Sequence, residues 1–359
     1  MARRRLQAAV ALGKEIDLSN WAATPHCEDE VNFSKIENVK SHALPLLDKW
    51  GIYSLQYSHD GKSLAVGFGN GGVLSIDNET GHLRELSLGH QRDGLAIMAL
   101  YHHPNKENML LSAGASGNIH LWDLASAGSY EPVETVVEDN EINALDFSLD
   151  GFVFGTVGRD RKIRIYDGKT LHLLKELEGP EYSTTDDTSV YSGHTKRIFA
   201  LKFHPEDNNL FITAGWDNCL KVWDKRMAKN CKKYITGPHI CGPALDIWND
   251  QVLTGSWRAK DALQLWDLRW ETSLIKDIPY PHDEHHEGEF LYCCQFASGD
   301  TIIAGGSGTN NACAMSIKSC EVLGTIQSPK PIMALDIHQS GGQFAVAGID
   351  GHLHIGQLA

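Results

Sequence analysis

Long hydrophobic runs are missing from this chain: nowhere do about 18 apolar residues follow one another, so no segment reads as a membrane-spanning helix. The start Met1-Ala2-Arg3-Arg4-Arg5-Leu6 is basic, but it runs into Lys14-Glu15 where a secretory signal would carry small residues, which argues against that address. Basic charge is in deficit: 32 Lys and Arg face 46 Asp and Glu, a net charge of −14. Binding to nucleic acid regardless of sequence neutralises phosphates with Lys and Arg, so it is disfavoured as the main role. An acidic surface favours solubility and partners of basic character. The 8 cysteines share no repeated spacing and form no Cys-x-x-Cys pair, which fits free thiols in a reducing compartment, cytoplasmic or nuclear. No helical period is sustained between Asp48 and Ala359.

Enzyme signatures are lacking as well. There is no Gly-rich phosphate-binding loop and no nucleophile elbow. The stretch Pro281-His282-Asp283-Glu284-His285-His286-Glu287-Gly288-Glu289 mixes imidazoles with carboxylates, as metal sites do. It falls where a loop between repeats belongs, and reads as a solvated acidic loop. The expectation is a protein that is not an enzyme and needs no metal or cofactor.

What is present is a repeat. Trp223-Asp224-Lys225-Arg226 and Trp266-Asp267-Leu268-Arg269 each close a short alternating run, and their tryptophans lie 43 residues apart. That spacing suits one propeller blade per repeat. Equivalent strand-ending positions fall at Ile76, Trp122, Tyr166, Trp223, Trp266, Ile317 and Gly356. The interval from Tyr166 to Trp223 is the longest. A polar, acidic insertion at 178–192 (EGPEYSTTDDTSVYS) accounts for it as a surface loop. Turn dipeptides such as Asp60-Gly61, His103-Pro104, Asp150-Gly151 and His204-Pro205 recur in register, so this part is all-β.

On these motifs the chain resembles the WD40-repeat β-propeller family over residues 33–359, and residues 1–32 read as an N-terminal extension with a short helix at Arg3–Lys14. The match is most specific in blade four, where Gly193-His194, Thr213, Asp217 and Trp223 stand at the family's buried His–Ser/Thr–Asp–Trp network. Such a set satisfies its own donors and acceptors between strands. Blade two keeps His90, Ser112 and Trp122, and blade three keeps Thr156 and Asp160 with Tyr166 for Trp. The chain stops after a third strand, His352–Leu358. The alternating segment Phe33–Lys40 is therefore expected to pair with it and close a ring of seven blades, with Ser41-His42 at the Gly-His position of blade one.

Two faces carry candidate binding residues. At the channel mouth the innermost strands align Tyr53, Met98, Asn143, Phe199, Pro243, Tyr292 and Met333. The turns add Arg159, Trp216 and Trp257-Arg258. Tryptophan at a solvent-facing turn has no core to fill, and Trp, Tyr and Arg dominate interface energies. A top rim that binds proteins or peptides follows, with the chain a non-enzymatic scaffold and a monomer within a larger complex. Convergence of Trp216, Phe199, Tyr292 and Tyr53 would instead make a cage for methylated lysine. On the opposite face, the paired motifs ending in Arg226 and Arg269 are similar to those of substrate-receptor propellers of the cullin-4 ubiquitin ligase. That resemblance implies docking to the ligase's propeller adaptor.

Overall fold

The short alternating runs become strands because neither face of a propeller sheet is left to water: each sheet packs between two others. The computed structural model describes residues 33–359 apart from 45–50, 88, 90–93, 107, 126–130, 178–192, 228–230, 270–273 and 283–287. The helix expected at Arg3–Lys14, the insertion and His90 lie outside the described residues. Within them, seven four-stranded antiparallel sheets follow one another, each a meander with its strands in chain order except the last. Blades one to six span 52–87, 97–137, 142–177, 198–236, 245–278 and 291–327, and blade seven joins 332–358 to a strand from the N-terminal side.

Second strands show the packing most clearly. Val153–Gly158 and Thr301–Gly306 are buried along their whole length, because neighbouring blades cover both faces. Small residues there let the sheets approach: a Cβ on Gly67 would stand 2.8 Å from Ile97 Cγ2 of the next blade. Outermost strands are half exposed, and four of the seven carry a lysine, which discourages edge pairing with other chains. Three of these lysines also tie blades together. Lys233 Nζ donates to the carbonyls of Leu268 and Arg269 at 2.7 and 3.3 Å, and Lys276 Nζ to those of Ile317 and Lys318 at 2.7 and 3.1 Å. Lys175 Nζ does the same to Lys225 and Met227. Each lysine thus clamps the turn after the third strand of the next blade.

Blade seven is completed by Ile36–Ala43, which pairs with His352–Leu358 from Ile36 opposite Leu358 to Ala43 opposite His352. The strand therefore starts and ends three residues later than the alternation suggested. Phe33, Ser34 and Lys35 are used otherwise: Phe33 packs on the blade-seven core, and the Ser34 and Lys35 amides donate to the Ala359 carbonyl at 2.7 and 3.2 Å. Asn38, at φ 50°, marks a bulge between Glu37 and Lys40 that resets the register. Ser41-His42 consequently lies inside this strand and not at the start of blade one, and Ser41 Oγ meets His354 Nδ1 at 2.7 Å. A second register correction falls in blade six. Trp223 stands opposite Phe211 and Trp266 opposite Val252, and the same position holds Met315, opposite Ile302. Ile317 lies past the strand end; its burial matches that of a core residue, which is what misleads a reading by hydrophobicity.

Candidate functional site

Blade four holds a closed polar network. Trp223 Nε1 donates to Thr213 Oγ1 at 2.7 Å, Thr213 Oγ1 lies 2.7 Å from His194 Nε2, and His194 Nδ1 lies 2.9 Å from Asp217 Oδ2. The Thr195 amide also donates to Asp217 at 3.0 Å. Burial opposes ionisation of Asp217, but the His194 and Thr195 hydrogen bonds hold its carboxyl below the usual range. Blades two and five keep the indole–hydroxyl half, Trp122 to Ser112 at 2.8 Å and Trp266 to Thr254 at 2.9 Å.

Blade three rewrites the network around a carboxylate. Buried Glu138 takes the histidine's place and accepts from Thr156 Oγ1 at 2.6 Å and Tyr166 OH at 2.9 Å. Its charge is met by Arg164 at 3.1 Å, which also binds Asp160 at 2.5 Å and Glu176 at 3.0 Å. Tyrosine supplies O–H where tryptophan supplies N–H, and the carboxylate accepts where imidazole had shared a proton. Glu138 escaped the sequence reading because a carboxylate does not look like a histidine.

The channel-mouth residues sit on bulges. In six blades the innermost strand carries an extra residue, and these are Tyr53, Met98, Asn143, Phe199, Tyr292 and Met333. A bulge re-aims its side chain out of the ladder, so one local device sets all six. Blade five has Pro243 at this place, ahead of its strand Leu245–Trp248. Tyr53, Met98, Asn143 and Pro243 line a central cavity of about 130 Å³. Asn143 is engaged with blade four, donating to Ile198 O at 2.8 Å.

Deeper in the channel, carboxylates latch one blade to the next. Asp146 accepts from the Phe203 amide at 2.6 Å, Asp246 from Phe296 at 3.0 Å, and Asp336 from Tyr57 at 2.6 Å, the last joining blade seven to blade one. Lys202 Nζ reaches Asp246 at 3.5 Å. Burial pulls the Lys202 ammonium down, but Asp246 and Asp146 outweigh it and keep it charged. Burial drives Asp336 up to about 6, only partly offset by the Tyr57 amide and Lys202.

On the top rim, Trp216 and Trp257 are 38% and 40% exposed, although each packs on a phenylalanine, Phe199 at 5.1 Å and Phe290 at 4.9 Å. Arg197 lies over the Trp216 ring, 5.5 Å from its centroid, and Trp216 Nε1 donates to Cys241 Sγ at 3.0 Å. Burial pushes the Cys241 thiol up to about 11, which disfavours its thiolate at neutral pH. Arg197 and Arg159 share Glu141. His239 bridges the tryptophan turns: its Nδ1 meets Asn218 Oδ1 at 2.6 Å, and its carbonyl accepts from the Trp257 amide at 2.7 Å. Contacts thus run from Arg159 to Phe290 across blades three to six. Arg197, Cys241 and Phe290 were not foreseen, because a bridging contact between blades leaves no periodic signal.

On the opposite rim, Arg226 and Arg269 grip the aspartates of their own motifs. Arg226 meets Asp224 at 2.9 and 2.6 Å, and Arg269 meets Asp267 at 3.3 and 3.1 Å. The Arg226 hydrogen bond is the main cause of the Asp224 carboxyl falling to about 2. Both guanidiniums remain largely exposed, 67% and 58%. Among the described residues no cluster of three His, Cys, Asp or Glu is placed to hold a metal. Of the His282–Glu289 stretch, residues 283–287 lie outside the description, while Glu289 accepts from the Ala262 amide at 2.7 Å.

Residues 82–123, 131–167 and 186–224 match the family described as WD domain, G-beta repeat. These segments coincide with most of blades two and three and with blade four up to Trp223-Asp224, and the remaining blades share their architecture. The chain is a WD40-repeat β-propeller. It is 24% identical over 277 residues to pre-mRNA-processing factor 19 of Oryza sativa subsp. japonica, covering 76% of this chain and 47% of that protein. It is 26% identical over 183 residues to histone acetyltransferase type B subunit 2 of Candida glabrata, covering 49% of this chain and 38% of that protein. The chain thus spans half or less of the length of these relatives. Within the WD40 propeller, the matched repeats include the blade-four network and the rewritten blade three, so the exchange of Glu138 for histidine leaves the repeat recognisable.

Proposed function

We propose that this propeller is a non-enzymatic scaffold that captures a peptide or protein segment on its top rim. The carrying observation is the pair of Trp216 and Trp257, each more than a third exposed on adjacent blade turns although apolar packing is available beneath. Exposed indoles backed by phenylalanine supply rigid contact area at little entropic cost. Bulge residues Tyr53, Met98, Tyr292 and Met333 extend the surface toward the channel, and buried Phe199 supports Trp216 from beneath. Arg159 closes it on the blade-three side. A monomer working inside a nuclear complex is part of the same proposal, since relatives carry pre-mRNA processing and histone acetyltransferase in their names. A cage for methylated lysine would have to displace the Arg197 guanidinium from Trp216; the scaffold reading requires no such rearrangement.

A second reading rests on the opposite rim, where exposed Arg226 and Arg269 stand on adjacent blades and suit docking to a cullin-4 ligase adaptor. One experiment separates the two. Tagged wild-type protein, Trp216→Ala/Trp257→Ala and Arg226→Ala/Arg269→Ala are used to capture partners for mass spectrometry. The top-rim reading expects partners lost with the tryptophan pair and retained with the arginine pair; loss of ligase adaptor with the arginine pair would establish the second. A partner set unchanged by the tryptophan pair would refute the first.

A further inference from the structure

The net charge of −14 invites a basic partner, yet among the described residues of the rim around the two tryptophans cations outnumber carboxylates. Arg159 and Arg197 share the single carboxylate of Glu141. Asp160 is held by Arg164 and Asp217 by His194, so both are engaged below the surface. Lys196 and Lys260 are exposed, and among the described residues neither has a carboxylate partner. Arg258 donates to Gln264 through one end of its guanidinium while its Nε is buried without an acceptor. His239, between the tryptophan turns, is lowered by burial and then by the nearby charges of Lys196 and Arg258. Two described carboxylates here have no Lys or Arg partner: exposed Asp261, and buried Glu289, which accepts from the Ala262 amide. Charges on the rest of the molecule matter less, because at physiological salt they are screened beyond about 8 Å. Local sign, not total charge, decides what can be held here.

Resting on the top-rim reading, we propose that the surface from Arg197 through Trp216 and Trp257 to Lys260 takes an acidic peptide segment. An apolar side chain of the ligand lies against the indoles, and its Asp or Glu carboxylates face Arg197, Lys196, Arg258 and Lys260. Arg197, stacked on tryptophan and paired with Glu141 through Nη1, keeps its remaining N–H groups for a carboxylate approaching from solvent.

The test uses the full chain and fluorescent peptide pools measured by anisotropy at low and high salt. One pool combines Asp and Glu with Phe and Leu, a second replaces the acids by Lys and Arg, and a third carries phosphoserine as its only anion. The acidic pool should bind, weaken as salt rises, and lose about tenfold in affinity with Lys196→Glu/Lys260→Glu, two exposed positions whose change spares the fold. Trp216→Ala should weaken the same pool, with circular dichroism confirming the fold of each variant. Preference for the basic pool, or binding of the phosphoserine pool alone, overturns the acidic-segment inference while leaving the rim reading in place. Binding of no pool, or binding indifferent to Trp216→Ala, removes the rim reading itself.

Discussion

Trp223 and Trp216 are seven residues apart and should behave as opposites. Trp223 is 1% exposed, lies near-parallel to Phe211 at 6.2 Å, and donates to Thr213 at 2.7 Å. Trp223→Ala opens a cavity and removes a buried donor, for a cost of about 3–5 kcal/mol from the ring and about 1 kcal/mol from the hydrogen bond. Thr213→Val strands the indole N–H and a histidine nitrogen together, and should cost about 2–4 kcal/mol. Trp223→Phe keeps most of the ring, so the cycle of Trp223→Phe with Thr213→Val should show a coupling of about 1–2 kcal/mol. Trp216→Ala leaves a hollow that water can fill, and should cost less than about 2 kcal/mol while weakening partner capture. Urea unfolding followed by far-UV circular dichroism measures each value without relying on the substituted fluorophore. Equal loss for Trp216→Ala and Trp223→Ala would refute the reasoning, since the exposed ring would then be a core residue.

Further outcomes follow from other parts of the ring. Removing residues 1–44 deletes the strand that pairs with His352–Leu358 and should lower thermal stability sharply, whereas removing 1–32 should cost little; equal effects would contradict closure through Ile36–Ala43. Asp336, raised to about 6, adds stability that is full below the ordinary carboxyl pKa of about 4 and is lost as pH rises through its folded value. Asp336→Asn should therefore flatten the stability curve across that window, and an unchanged slope would show that this carboxyl does not titrate there. Arg226→Ala/Arg269→Ala should leave the far-UV spectrum unchanged, because both guanidiniums lie past the strand ends. If the ligase reading holds, the pair should also lower adaptor co-precipitation by roughly two orders of magnitude or more, at about 1.5–3 kcal/mol per charge-assisted bond. No adaptor bound by the wild type would end that reading.

Architecture was legible in the sequence because it is written in local, repeated terms. The Trp-Asp strand ends and the turn dipeptides recur at blade spacing, the His194–Thr213–Asp217–Trp223 set marks one blade in full, and a period survives even where Tyr166 or Ile76 replaces tryptophan. The register of the row from Tyr53 to Met333 was readable for the same reason: one extra residue recurs in the innermost strand of six blades. Sequence alone did not place features that depend on which blade meets which. The exchange of Glu138 for histidine, with Arg164 as its counter-ion, rebuilds a network whose motif no longer shows. Position Met315 and the later start of Ile36–Ala43 were set by strand register, which hydrophobicity cannot fix when residues on both faces are buried. The sign of the proposed rim, as its described residues carry it, depends on tertiary placement. Net charge is a sum over all residues, whereas the field at Trp216 and Trp257 depends on which cations stand within a screening length and which carboxylates are already engaged, and only folding brings those together.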